Sequence, residues 1–132
     1  MEKKFINPEG MVKPGFYTPV VSVEGGRTLY IAGQVALDAA GNVVGRGDLL
    51  AQTGQVYKNL SLALAGAGAT FADVVKLNVY VVGYTSEQRA VLQSVREKYV
   101  SKDHPPASTL VGVQALASSA FLVEIEAVAV VA

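Results

Sequence analysis

Apolar residues alternate with other residues along the last segment of the chain, which predicts a β-strand over residues 121–131. One face of this strand is entirely apolar and comprises Phe121, Val123, Ile125, Ala127, Ala129 and Val131. The other face carries Glu124 and Glu126 beside Leu122, Val128 and Val130. Because carboxylates are costly on an apolar surface, this pattern indicates that the two acids have a partner or a function.

Five other stretches have the composition and turn boundaries of strands. A short strand at 5–8 is stopped by Pro8, and a second covers 20–24. The next strand covers 28–35, and Gly25-Gly26 before it predicts a tight hairpin that joins the two. A further strand covers 74–82. A segment that ends at Val113 then precedes the last strand, after a connection over 114–120.

Two segments have helical spacing. Asp48 is a suitable N-cap for a helix over 49–67, in which Leu49, Val56, Leu60 and Leu64 share one stripe. Residues 85–88, Thr-Ser-Glu-Gln, fit a capping box that begins a second helix. This helix runs to about residue 100, with Val91, Leu92, Val95 and Tyr99 inward, before Pro105-Pro106.

The resulting order is β-β-β-α-β-α-β-β, an α+β fold in one domain over residues 1–132. One sheet with both helices on its apolar face is the economical arrangement. The other face collects a mixture of polar, charged and apolar side chains: Thr28, Tyr30, Gln34, Lys76, Asn78, Tyr80, Glu124, Glu126, Val128 and Val130. Such a mixture suits the interior of an oligomer, in which the acids meet Lys76 and partner hydroxyls.

Composition narrows the function classes. Eleven basic and eleven acidic residues give a net charge of zero, which argues against nucleic-acid binding. The absence of cysteine and the single histidine, His104, exclude a thiol nucleophile and a histidine-rich metal site, and no cofactor or metal is expected. Hydrophobic residues make up 51% of the chain, which favours association. With no signal core in 1–5 and no long apolar run, we expect a soluble, cytoplasmic protein that binds no membrane.

The C-terminal part of the chain resembles the signature of the Rid family, also called YjgF. The resemblance is carried by Pro106-Ala107, by Gly112-Val113 and by the run Val-Glu-Ile-Glu-Ala at 123–127. It implies a chorismate-mutase-like fold and a homotrimer in which three sheets form a central barrel. It also implies small-molecule clefts between neighbouring subunits, and hydrolysis of enamines or imines to a carbonyl compound and ammonia.

The same resemblance assigns roles to individual residues. Glu124 matches the glutamate that positions or activates the attacking water, and Tyr17 matches a cleft tyrosine. Gly33-Gln34 matches the family's Gly-Gln pair, and Ala32 stands where many active members have a serine. Ser108 and Thr109 are candidate substrate contacts. Glu126 is interpreted mainly as an acid that lines the barrel or the interface.

Ser108 departs from the family pattern, because active imine deaminases have an arginine directly after the Pro-Ala pair. That arginine holds the substrate carboxylate in a bidentate fork, which a serine hydroxyl cannot reproduce. Its loss costs about 1.5–3 kcal/mol of binding free energy. The sequence leaves open whether Arg27, Arg46, Arg89 or Arg96 reaches the cleft instead.

Three functions therefore stay open. The first is a trimeric enamine or imine deaminase that uses Glu124 and Tyr17. The second is a non-catalytic module that binds a small metabolite in the same cleft. The third and weakest is an endoribonuclease or translation inhibitor, which zero net charge disfavours.

Overall fold

The computed structural model describes all 132 residues and contains six strands and two helices in the predicted order. The strands are β1 (Glu2–Ile6), β2 (Val20–Glu24), β3 (Arg27–Gln34), β4 (Val74–Val82), β5 (Ala107–Val113) and β6 (Val123–Val131). The helices are α1 (Leu49–Gly66) and α2 (Arg89–Arg96). Short 3-10 turns over Phe71–Asp73 and Ser86–Gln88 lead into β4 and α2.

The strands form two sheets rather than the single sheet expected from the sequence. Four of them form a mixed sheet in the order β3-β6-β4-β5, in which only β4 and β5 are parallel, while β1 and β2 form a separate antiparallel pair. The predicted hairpin between the second and third strands is therefore wrong. Gly25 and Gly26 do adopt positive φ angles, and the chain bends there without pairing β2 with β3. The apolar side chains of β3, however, reach the core by pairing with β6, from Arg27 opposite Val131 onward.

Both helices cover the same face of the four-stranded sheet. Val56, Leu60 and Leu64 of α1 are fully buried, as the stripe predicted. They belong to one core cluster with the apolar positions of β4 and β6, among them Leu77 and Ile125. The alternation in the sequence thus identifies the covered face correctly, and burial of each large side chain there contributes about 1.5–3 kcal/mol.

The helix ends follow the predicted signals, with one difference. The Asp48 carboxylate accepts a hydrogen bond from the Ala51 amide at 3.1 Å, and the Gln88 side chain accepts one from the Thr85 amide at 3.0 Å. The second helix, however, ends at Arg96 rather than near residue 100. The amides of Lys98 and Tyr99 bond three residues back, which tightens the chain into turns ahead of the prolines.

The uncovered face of the sheet carries the predicted mixture of side chains. Tyr30 is 83% exposed there, while Lys76, Asn78, Tyr80, Glu124 and Glu126 are half-buried. This surface is called the open face below, and the opposite surface the helix face. None of the helices is long and apolar enough to span a membrane.

Candidate functional site

The candidate site residues divide between the two faces of the sheet. Ser108 is paired with Leu77, which belongs to the core, so its side chain lies on the helix face. The next residue, Thr109, is paired with Asn78 and lies on the open face, where it accepts a hydrogen bond from Lys76 Nζ at 2.9 Å. Adjacent residues of a strand point to opposite sides, so these two side chains do not share a site within one subunit.

A cavity of about 340 Å³ lies on the helix face, between α2, β5 and the segment that contains Phe16 and Tyr17. Tyr17 and Ser108 both line it. The segment is held in place by Thr18, whose hydroxyl and amide donate to the carbonyls of Pro105 and Pro106 at 2.6 and 3.2 Å. These bonds to the two prolines hold Tyr17 next to Ser108, so two of the predicted site residues line the same cavity.

Arg96 is the central charged group of this cavity. Its guanidinium donates to Ser108 Oγ at 3.0 Å through Nη1 and to the Phe16 carbonyl at 2.7 Å through Nη2. The side chain is only 8% exposed, yet it has no ion pair, since the single salt bridge in the structure joins Lys4 to Glu2. The cavity therefore contains a buried cation whose hydrogen-bond partners are neutral.

Burial shifts the titration of the groups around Arg96. Desolvation lowers the pKa of Arg96 from its usual value, and the interaction with Tyr57 opposes this shift. Desolvation also raises the pKa of Tyr57 to about 12, against the effect of the nearby Arg96 charge. The Tyr57 hydroxyl is thus neutral at physiological pH and contributes an aromatic wall to the cavity, on which Tyr99 stacks at 5.2 Å.

Of the four arginines that the sequence left open, two reach the cavity. Arg89 lines its wall, with its Cζ atom 5.2 Å from the centre of the Phe16 ring. Arg27 instead donates to the Ala67 carbonyl at 3.2 Å, and Arg46 is exposed outside the cavity. Sequence reasoning did not single out Arg96, although it stands four residues after the buried Leu92 and hence on the covered face of its helix.

Glu124 lies on the open face beside Gly33. A β-carbon on Gly33 would overlap the end of the Glu124 side chain, so glycine leaves the space that the carboxylate occupies. The pairing of β3 with β6 shifts register between Ile31 and Gln34, which gives this part of β3 its irregular path. Glu124 takes part in no side-chain hydrogen bond and no ion pair, so its carboxylate is free to bind water or a ligand.

Glu126, two residues further on, is fully engaged. One of its carboxylate oxygens accepts hydrogen bonds from Tyr80 Oη at 2.5 Å and Asn78 Nδ2 at 3.0 Å. These two bonds lower the pKa of the Glu126 carboxyl, and the same bond to Glu126 raises the pKa of Tyr80. Neither acid pairs with Lys76, which bonds Thr109 instead.

Ala32 completes the set of candidate residues. It lines a shallow hollow on the open face together with Tyr30, Asn78 and Glu126, and its carbonyl accepts a hydrogen bond from the Gln34 side chain at 3.0 Å. Within one subunit the structure thus groups Tyr17 with Ser108 on one face. On the other face it groups Glu124 with Gly33 and Ala32 with Glu126, while Thr109 lies apart and bonds Lys76. Nowhere do three or more His, Asp or Glu side chains gather in a metal-binding arrangement.

Comparison with known proteins gives the class of the chain. The family profile described as Endoribonuclease L-PSP matches residues 12–131. The crystal structure of the Rid-family protein YyfB from Yersinia pestis is 44% identical, with a TM-score of 0.88, and the match covers 99% of this chain and 100% of that one. The chain belongs to the Rid (YjgF) family, and its chorismate-mutase-like fold is confirmed.

Two relatives show the range of names within this family. Protein DfrA of Myxococcus xanthus is 33% identical over 131 residues, which are 98% of this chain and 97% of that protein. The human 2-iminobutanoate/2-iminopropanoate deaminase is 32% identical over 118 residues, which are 88% of this chain and 80% of that protein. The relatives therefore include 2-iminobutanoate/2-iminopropanoate deaminases, beside the endoribonuclease of the family description.

Proposed function

We propose that this protein hydrolyses enamines or imines to a carbonyl compound and ammonia, as a homotrimer with its active sites between subunits. The free carboxylate of Glu124, seated against Gly33, is the observation that carries the proposal. Of the two acids on the open face, it alone has no hydrogen-bond donor from its own subunit. The named deaminases among the relatives support the same reaction.

The reaction needs one proton acceptor and one positioned water. In the imine form of the substrate, a water oxygen attacks the C=N carbon while Glu124 accepts one of the water protons. Glu124 returns that proton to nitrogen, which gives a carbinolamine with one hydroxyl and one amino group on the same carbon. Glu124 then moves the hydroxyl proton to the nitrogen, the C–N bond breaks as the C=O bond forms, and ammonia leaves. A carboxylate whose oxygens accept no hydrogen bond from a fixed donor is available for these proton transfers.

The location of the candidate residues supports a cleft shared by two subunits. Tyr17 and Ser108 lie on the helix face and Glu124 lies on the open face, so one subunit offers a binding cavity and an acid that do not meet. The trimer implied by the family would bring the cavity of one subunit to the acid of the next. Tyr17 then closes the substrate against the cavity wall.

The test measures ammonia release from enzymatically generated 2-aminoacrylate. We expect Glu124→Gln to lose about 10²–10⁴-fold in rate, the usual contribution of a general base, while the oligomer persists. Glu126→Gln is the matched control on the same strand face, and we expect it to retain most of the activity. Full activity in Glu124→Gln would overturn the proposal.

A non-catalytic binding module is the second candidate, and one observation favours it. The cavity that holds Tyr17 and Ser108 is lined by no carboxylate and no histidine of its own subunit. If this protein only binds, a ligand saturates the cavity without turnover, and Glu124→Gln changes neither affinity nor product formation. Turnover that depends on Glu124 excludes this candidate.

A further inference from the structure

We propose that the helix-face cavity selects monocarboxylates with a bulky apolar or aromatic group, and that Arg96 and Arg89 of α2 bind the carboxylate. The proposal rests on the proposed function and names its substrate class. It concerns a binding step that is measured without turnover.

The first argument is the state of Arg96. Arg96 is only 8% exposed, so its cation loses much of its hydration, and an anionic partner ordinarily compensates for that loss. Here the guanidinium donates to the Ser108 hydroxyl and the Phe16 carbonyl, and it also interacts with the neutral Tyr57 hydroxyl, so none of these partners is an anion. A carboxylate that enters the cavity would provide the missing charge.

Ser108 adds a donor to the same place. Its oxygen accepts the hydrogen bond from Arg96, so its own hydroxyl hydrogen is left for another acceptor. Ser108 also lines the cavity. A carboxylate near Arg96 can therefore accept from the guanidinium with one oxygen and from the serine hydroxyl with the other.

The second argument is the charge of the whole cavity. Arg89 stands seven residues before Arg96, which is two helical turns, so both guanidinium groups lie along one side of α2. Both line the cavity, and no acidic side chain does. Two cations without an acid attract anions and disfavour positively charged ligands.

The third argument is the size and lining of the cavity. Seven of its eleven lining residues are apolar or aromatic, and four of these are Phe16, Tyr17, Tyr57 and Tyr84. Its volume of about 340 Å³ lies at the lower end of the range for small-molecule sites, roughly 300–1,000 Å³. A three-carbon acid would leave most of the apolar wall without contact, whereas a phenyl or branched group would cover it and gain affinity with the area buried.

The experiment titrates the full-length protein with three stable probes by calorimetry. Phenylpyruvate has both features, pyruvate has only the carboxylate, and phenylacetone has only the aromatic group. We expect phenylpyruvate to bind at least about tenfold more tightly than either of the others, because each of them lacks one set of contacts.

Four single variants test which side chains are responsible for the tighter binding of phenylpyruvate. We expect Arg96→Gln to weaken phenylpyruvate binding roughly ten- to hundredfold and Arg89→Gln severalfold, with no effect on phenylacetone. Arg46→Gln removes the same charge outside the cavity and is the control, for which we expect unchanged binding. Glu124→Gln should bind phenylpyruvate like the wild type, so that a failure of the proposed reaction is separable from a failure of this inference.

Two results would overturn the inference. One is equal affinity for phenylpyruvate and phenylacetone. The other is wild-type affinity for phenylpyruvate in Arg89→Gln, whose side chain is exposed and whose loss leaves the fold intact. The second result decides the question even if Arg96→Gln fails to fold, because an Arg96 that only ties Phe16 to β5 predicts no role for Arg89.

Discussion

The two faces of the central sheet present different charged groups to a ligand. On the helix face, Arg96 is buried without an anion, and Arg89 lines the same cavity. On the open face, Glu126 is bound by two neutral donors, and Glu124 is bound by none. The sheet separates the cationic cavity from the free acid within one subunit.

In the proposed function, this separation makes the activity depend on assembly. A substrate bound by the arginines of one subunit would then need the acid of a neighbour, which reaches it only across an interface. The arrangement predicts that activity belongs to pairs of subunits.

The largest effect is expected in oligomers assembled from two different variants. These oligomers test directly whether the two faces contribute to one shared site. Glu124→Gln and Arg96→Gln should each be nearly inactive alone. Co-refolded in equal amounts, they should recover about a quarter of wild-type activity, because one of four neighbour pairings contains an intact arginine and an intact glutamate. Ammonia release measured before and after mixing checks this. A mixture no more active than its components would place both residues in the site of one subunit.

The second prediction concerns the family's arginine position. Ser108→Arg would place a second guanidinium beside the buried Arg96 and remove the acceptor that Arg96 uses. We expect a loss of about 1–3 kcal/mol in the free energy of unfolding, measured by thermal or denaturant melts. Combining it with Arg96→Gln should restore part of that loss, since the two sites interact directly.

Thr109→Arg is the control for this measurement, because the next residue points to the open face and is exposed. We expect a change within about 0.5 kcal/mol there. If Ser108→Arg is as stable as the wild type, the guanidinium introduced at 108 does not compete with that of Arg96 for the same space. Arg96 then does not take the place of the family's arginine.

Much of this architecture could be predicted from the sequence. The alternation in 74–82 and 121–131 identified the covered face, and the stripe in 49–67 identified the helix side that packs on it. Such patterns are local, and burial of one face enforces them. The same alternation separates Ser108 from Thr109, although their adjacency in the sequence had suggested one shared binding role.

The remainder depends on contacts between distant residues. The glycine pair at 25–26 indicates a reversal but not which strand each arm joins, and β3 finds its partner about a hundred residues later in β6. The bond from Arg96 to Ser108 joins a helix to a strand across the prolines, and nothing in the spacing of the two residues encodes it. Only the four-residue step from Leu92 indicated that Arg96 faces inward.

The smallest expected effect concerns Glu126 on the open face. Its pKa is lowered in the folded state by the bonds from Tyr80 and Asn78, so these bonds stabilise the fold above the usual value of 4.5 and lose that effect as the pH falls through the folded pKa. The pKa of Tyr80 is raised by the same bond, so its contribution is present below 10 and is lost as the pH rises through its folded pKa. We expect a contribution of only ~0.5 kcal/mol, because solvent screens a half-buried pair.

Thermal unfolding of wild type and Glu126→Gln between about pH 3 and pH 7 measures this contribution. The difference between the two proteins should be largest near neutrality and shrink below pH 4.5. Glu9→Gln, which removes an exposed acid without a bond, should follow the wild type at every pH. A difference that does not change with pH would mean that the charge of Glu126 contributes nothing to stability. The hydrogen bonds that distinguish Glu126 from Glu124 would then have no electrostatic effect on the fold.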